Sequence, residues 1–555
     1  MSEIIRSDKK TFLGIKANGP VFITSLLIIV ALVSTTLIVG KPMEQWFADT
    51  QNFVSDKIGW FFILLFNLLL IFALYLGFGR YANIRIGGKD AKPEFSRMSW
   101  FAMLISAGIG IGLLFWGVAE PIFHFNSNPF LGSANDSVLA AKTSMAINFL
   151  HWGIHGWALY AIVGVSLAFF TFNKKLPLTI RSIFHPLLGD KIYGPIGDMI
   201  DIISVIATVF GLATSLGLGA QQINAGLDYL FQVENSNFVQ IIIIVVITIF
   251  ATLSLILGLD KGIRMLSEWN MRLAIALLVF MLLVGPTLFL FKSFIQNIGY
   301  YIGNFFELSC WTNSYSGVGE TKNWQSSWTV FYWAWWISWS PFVGIFIARI
   351  SKGRTIREFI LGVMSVPALF AMLWLSVFGG SAIFQELIGN HAITDAVNGN
   401  VATAIYHLLE QYPFTTFSSF LTVTLVATFF VTSSDSGSFV VDTLTSGGRH
   451  DAPKGQKIFW ASMEGLLASV LLIGGGLTAL QTASLLTAIP FSFILIVMCY
   501  SFYKSLTEYE EDFTLINLDE LDELDELEDL GDLKAKEKEK EKEKEKEKEV
   551  ECVLE

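Results

Sequence analysis

The chain has 555 residues, 53% of them hydrophobic and 15% charged, with a formal net charge of −11 and a mean hydropathy of +0.56. That composition excludes an ordinary soluble domain and leaves room for many bilayer crossings. From Lys504 onward 22 acidic residues face nine lysines, a net of −13, so the rest of the chain carries +2 and the acidity belongs to the tail alone. A nucleic-acid partner, which would need a basic face, is not expected.

With about 20 apolar residues per crossing, twelve spans are expected near 21–40, 60–79, 99–117, 147–170, 200–219, 238–258, 273–291, 328–348, 359–380, 417–440, 459–475 and 484–502. Cytoplasmic loops are rich in Lys and Arg. The N-terminus and the loops after the even-numbered spans hold 23 such residues, against five in the others (Lys41, Lys57, Lys142, Lys292 and Lys322). The alternation requires an even number of spans with both termini inside. The first 20 residues are polar and basic and the first apolar segment is a full span, so no cleaved signal peptide is expected.

In chain order, the third span reads SAGIGIGLLFWGVAEP, with Gly108, Gly110 and Gly112 at alternate positions. Such a cluster weakens a helix and lets backbone approach a ligand, although close helix packing would use the same residues. The fourth span contains HWGIHGWALY. At 100° per residue Trp152, Trp157 and Tyr160 fall within an arc of about 140° and can face one cavity. His151 and His155 are read as bonding within their own helix. The eighth span contains WTVFYWAWWISWSPF, Trp328 to Phe342. Its five indoles are too many for an interfacial belt; they serve either as packing or as π faces for a cation. Ser340-Pro341 should interrupt this helix. Spans three and eight lie five helices apart, so matching interruptions in two halves point to a central site.

Among intramembrane acids, Asp435 is read as a backbone cap or proton carrier, Glu464 as interfacial, and Glu120 as a gating or loop-anchoring group. Cys310, Cys499 and Cys552 are too scattered for a disulfide framework or metal site. No GxxxxGK[ST] loop is present, which argues against primary pumping. In the tail, leucines recur every three residues from Leu518 to Leu533, followed by a Lys-Glu alternation. It is read as a solvated extension, partly helical or disordered.

The strings GIGIGLLFWGVAEP, HWGIHGWALY and WTVFYWAWWISWSPFVGIFIARISKGRTIREFILG resemble the betaine/choline/carnitine transporter family over nearly the whole membrane body. The resemblance implies an all-α, LeuT-like membrane protein: a cytoplasmic N-terminus (1–20), two peripheral helices (21–98), two inverted five-helix repeats (99–300 and 328–503) joined by an extracellular connector (301–327), and a cytoplasmic tail (504–555). It implies sodium-coupled uptake of a quaternary ammonium solute, glycine betaine above all, by a homotrimer in a bacterial inner membrane. A proton-coupled or broader transporter of choline, carnitine, ectoine or a dimethylsulfonium compound is the alternative.

By the same resemblance an aromatic box matches Trp152, Trp157, Tyr160 and Trp336, with Trp335 and Trp339 on the path. The carboxylate of the solute would meet the backbone of Gly108, Gly110 and Gly112. Choline-transporting relatives carry Asp where Gly112 stands, so a zwitterion is favoured here. The sodium ion, the only cofactor implied and one bound as cargo, would take the hydroxyls of Thr432 and Ser433 with carbonyls of Phe429, Ser106 and Ile109. A second sodium site would use Thr208 and Phe342, but Leu212 stands where the family has a second threonine, which puts that site and two-ion coupling in question.

Overall fold

The computed structural model describes residues 17–40, 42–108, 110–131, 136–257, 264–314, 322–449 and 453–554. The main chain forms helices α1 (Gly19–Val39), α2 (Pro42–Phe78), α3 (Arg97–Gly108), α4 (Gly110–Asn126), α5 (Ser137–Trp152), α6 (Ile154–Phe172), the single turn α7 (His185–Leu188), α8 (Pro195–Phe231), α9 (Asn237–Leu257) and α10 (Arg264–Val284). Then follow α11 (Thr287–Gly303), the short α12 (Phe305–Cys310) and α13 (Lys322–Gln325), α14 (Phe331–Ile350), α15 (Ile356–Leu387), the short α16 (Ala392–Gly399) and α17 (Ala404–Glu410), α18 (Thr415–Thr445) and α19 (Lys454–Leu554). No strand is named among the described residues. The helix starts carry local signals: Asp136 accepts from the amides of Val138 and Leu139, and Thr355 caps α15 through the amide of Glu358.

Ten of these helices are long and apolar enough to cross a membrane, or eleven if the bent pair α3–α4 is one crossing. The expectation of twelve differs because the last two apolar segments lie in one run, α19, whose only non-helical residues are Gly475 and Gly476. The seventh crossing also sits earlier than hydropathy placed it. α10 ends at Val284 because Gly285 and Pro286 stop it, proline disfavouring the helical conformation of the residue before it.

The described residues up to Cys499 form one compact unit and those from Tyr500 onward another. Within the first, α14 packs against α6 and α8, α18 against α8, α9 and α10, and α15 against α4 and α6. α14 is wrapped on all sides, every residue from Phe331 to Ala348 being buried. By contrast α1 and α9 expose leucine, isoleucine and phenylalanine to the surroundings, as lipid-facing helices do. The second unit is helical to Leu554, so the solvated extension takes the helical of its two expected forms.

The eighth crossing does not break at its proline. α14 runs through Pro341, which cannot donate to the carbonyl of Ile337 four residues back. The Ser340 hydroxyl donates to that carbonyl instead, at 2.7 Å. The irregularity lies at the start of the crossing, in a π-helical turn over Ser326–Val330. The third crossing does break, between Gly108 and Gly110, with a bend of 62°. The fourth, treated above as one continuous helix, breaks at Gly153 (φ −93°, ψ −147°), so the relative directions of Trp152 and Trp157 are set by that break and not by a shared helical wheel.

Candidate functional site

The break in the third crossing brings backbone against indole. Gly110 has φ +28°, a conformation that favours glycine. A Cβ at Gly108 would collide with the Trp157 ring, and one at Gly112 would lie 2.6 Å from Trp335 and 2.8 Å from Trp152. Only a residue without a side chain lets these rings reach the main chain here. Gly110 faces elsewhere, toward the Ser433 hydroxyl and the Phe429 ring.

Around Gly108 and Gly112 the aromatic residues converge from three helices. Trp152 closes α5, Trp157 and Tyr160 lie on α6, and Trp335, Trp336 and Trp339 lie on α14. Trp336 is central, its ring 4.8 Å from Tyr160, 5.7 Å from Trp157 and 6.3 Å from Trp152 between centroids. Trp335 lies 6.1 Å from Trp152 and 6.2 Å from Trp339. Trp336 donates its indole N–H to the His151 carbonyl at 3.0 Å, and Trp339 donates to the Gly211 carbonyl at 2.7 Å. Gly108, Gly112, Trp152, Tyr160, Trp335, Trp336 and Trp339 line a narrow pocket of about 20 Å³, room for a water molecule.

Behind Trp152 lies a buried polar hub. Glu120, on α4, is 0% exposed. Its Oε2 accepts from Trp152 Nε1 at 2.8 Å and from the Tyr332 hydroxyl. Its Oε1 meets His151 Nδ1 at 2.7 Å and His124 Nε2 at 3.3 Å. His151 Nε2 lies 2.9 Å from the Thr329 hydroxyl. By spacing alone Glu120, His124 and His151 could hold a metal ion, but the atoms that face one another already bond to one another. His151 thus bonds across helices, and His155 reaches Asn67 on α2 at 3.4 Å; neither uses its own helix, contrary to the expectation above. Sequence reasoning noticed Glu120 as an intramembrane acid but missed its partners, and passed over Tyr332 altogether.

On the other side of the break, Ser106 and Ser433 both bury hydroxyl oxygens that have no partner. Phe429, Thr432 and Ser433 share α18 with its contacts to α3 and α4. Thr432 donates to the Thr428 carbonyl and accepts from Asn270 Nδ2 at 2.7 Å. Asn270, on α10, was not anticipated; its own Oδ1 is buried without a partner. Ile109 lies outside the described residues. These unpaired oxygens suit a hard cation that seeks carbonyl and hydroxyl ligands.

The second proposed ion position looks different. Thr208 bonds back to the Ser204 carbonyl at 2.8 Å, Phe342 is fully buried beside Trp339, and Leu212 points at Gly437, where any side chain would collide with it. Asp435 accepts from Ser254 and from Ser436. Glu464 is 0% exposed and accepts from Ser438 at 2.9 Å, so its side chain is buried within the protein.

Comparison with known proteins decides the class. Residues 20–511 match the model described as BCCT, betaine/carnitine/choline family transporter. The chain belongs to this family. It is 43% identical over 490 residues to the glycine betaine transporter of Acinetobacter baylyi, covering 88% of this chain and 73% of that one. It is 44% identical over 494 residues to the glycine betaine transporter OpuD of Bacillus subtilis, covering 89% and 95%. The glycine betaine/proline/choline transporter of Vibrio parahaemolyticus is 43% identical over 510 residues, covering 89% and 91%. The protein is therefore a multi-pass membrane transporter and not an enzyme.

Proposed function

We propose that this transporter takes up a trimethylammonium zwitterion, glycine betaine first, as a compatible solute, driven by sodium and operating by alternating access. The observation that carries the reading is the meeting of Trp152, Tyr160, Trp335 and Trp336 around the helix break at Gly108 to Gly112. A desolvated onium group gains about 2 kcal/mol or more from a strong aromatic contact. The start of α4 supplies free amides and a positive dipole end for the carboxylate. The betaine names of the relatives support the substrate class.

Sodium is proposed to bind where Ser106, Thr432 and Ser433 bring oxygens to the same break, with main-chain oxygens of Ile109 and Phe429. Ion and substrate would then share one broken helix, which ties their occupancies together. We place both termini in the cytoplasm of a bacterial cell, with the protein in the inner membrane as a homotrimer. α19 then counts as two crossings about Gly475 and Gly476, giving twelve, of which the last ten form two inverted repeats.

Uptake into proteoliposomes tests the reading, with betaine, choline, carnitine, ectoine and a dimethylsulfonium compound offered under sodium and proton gradients imposed separately. Sodium-driven, saturable accumulation of betaine is expected. Accumulation driven by protons alone would overturn the coupling, and undiminished uptake by a correctly inserted Trp152→Leu/Trp336→Leu double variant would overturn the cage.

A further inference from the structure

Glu120 sits one indole away from the cage, inside a shell of hydrogen-bond partners. Each of its oxygens accepts from two donors: Trp152 and Tyr332 on one, His151 and His124 on the other. No Lys or Arg is paired with it among the described residues. The contacts fit two neutral imidazoles. His124 Nδ1 is buried without a partner, which a lone pair tolerates far better than an N–H would. His151 meets Oε1 through Nδ1, and its Nε2 lies against the Thr329 hydroxyl, which can donate to a neutral ring. With both rings neutral, the hub carries a full negative charge held by charge-assisted hydrogen bonds.

We propose that Glu120 is a specificity-determining residue: acting through Trp152, it supplies the negative field that lets the cage hold onium cations that lack a carboxylate as well as zwitterions. The proposal rests on reading the rings as a cage for onium groups. An indole that donates its N–H to a carboxylate gains electron density on its ring face, which strengthens attraction for a cation. The charge also acts directly across a poorly screening interior. A bare cation such as choline feels both effects uncompensated. A zwitterion brings its own carboxylate, whose repulsion by Glu120 offsets most of the gain. Glu120 thus widens selectivity toward cations without touching them, in a chain that has Gly112 in place of an acid at the helix break.

The test measures equilibrium binding of choline and of glycine betaine to the full-length protein in lipid nanodiscs, for the wild type and for Glu120→Gln. Glutamine keeps the shape and an oxygen acceptor but removes the charge. Choline should lose roughly tenfold more affinity than betaine, the size expected for unit charges several ångströms apart at the effective dielectric of a protein site. Equal loss for both ligands would overturn the proposal, leaving Glu120 a structural support. Tyr332→Phe provides the opposite sign: with one donor gone the carboxylate is less neutralised, so choline should gain on betaine by about two- to threefold. A shift the other way, or none, would overturn the proposal even if Glu120→Gln fails to fold. Failure of the cage itself is told apart by Trp336→Leu, which would then bind both ligands as the wild type does.

Discussion

Gly156 faces the middle of the Trp336 ring: a Cβ there would lie 2.5 Å from Cδ2 and Cε2 of the indole. Overpacking of this kind commonly costs about 1–3 kcal/mol, and the atom that must yield is a cage wall. Gly156→Ala is therefore expected to raise the betaine KM by about tenfold or more, the equivalent of about 1.4 kcal/mol, with protein yield little changed; an unaltered KM in transport assays would contradict the placement of Trp336. Ser433 makes a separable case. Its hydroxyl has no partner, so Ser433→Ala should leave folding intact while raising the sodium concentration for half-maximal uptake, which a sodium titration at saturating betaine would reveal. At the second ion position implied by the family resemblance, Leu212 fills the space left by Gly437. Sodium activation should accordingly be hyperbolic, and a sigmoidal curve would require another ion position.

At the level of helices, the case of Pro341 shows what was and was not legible in the sequence. A proline in an apolar span announces a lost hydrogen bond, and the reading of an interruption followed from that. What the sequence leaves hidden is the remedy, because Ser340 repairs the carbonyl of Ile337 only in one rotamer. Removing a partner from a buried carbonyl costs about 1–3 kcal/mol. Ser340→Ala should thus lower the unfolding temperature of the purified protein, and the double variant Ser340→Ala/Pro341→Ala should recover most of it, since alanine restores the backbone donor; a thermal-shift series over the double-mutant cycle checks this. The six aromatic positions were named through the family resemblance of the strings that contain them; composition alone left packing and cation binding both open. Glu120 as a hub was not legible, because its partners His151 and Tyr332 lie 31 and 212 residues away and meet it only once three helices are packed. Gly153 went unread for a related reason: one glycine in an apolar run predicts nothing until its backbone angles are known.

For the molecule as a whole, the family match ends at residue 511, close to where the chain divides into its two compact units. The proposed cage, the hub and the oxygens proposed for the ion all lie before residue 499. Truncation after Asp512 should leave the KM for betaine within about twofold of the intact protein when assayed in proteoliposomes at constant osmolarity, a range that surface changes remote from a site rarely exceed. The tail's effect, if one is measured, belongs then to its response to salt or lipid charge.

The ring of aromatics lines a narrow pocket of about 20 Å³, and this has a kinetic corollary. A solute cannot simply drop into such a socket; neighbouring indoles must first swing apart, and that opening is unimolecular. Stopped-flow tryptophan emission should show an association rate that climbs with betaine concentration and then levels off at the opening rate, as for any partner admitted only by a minor conformer.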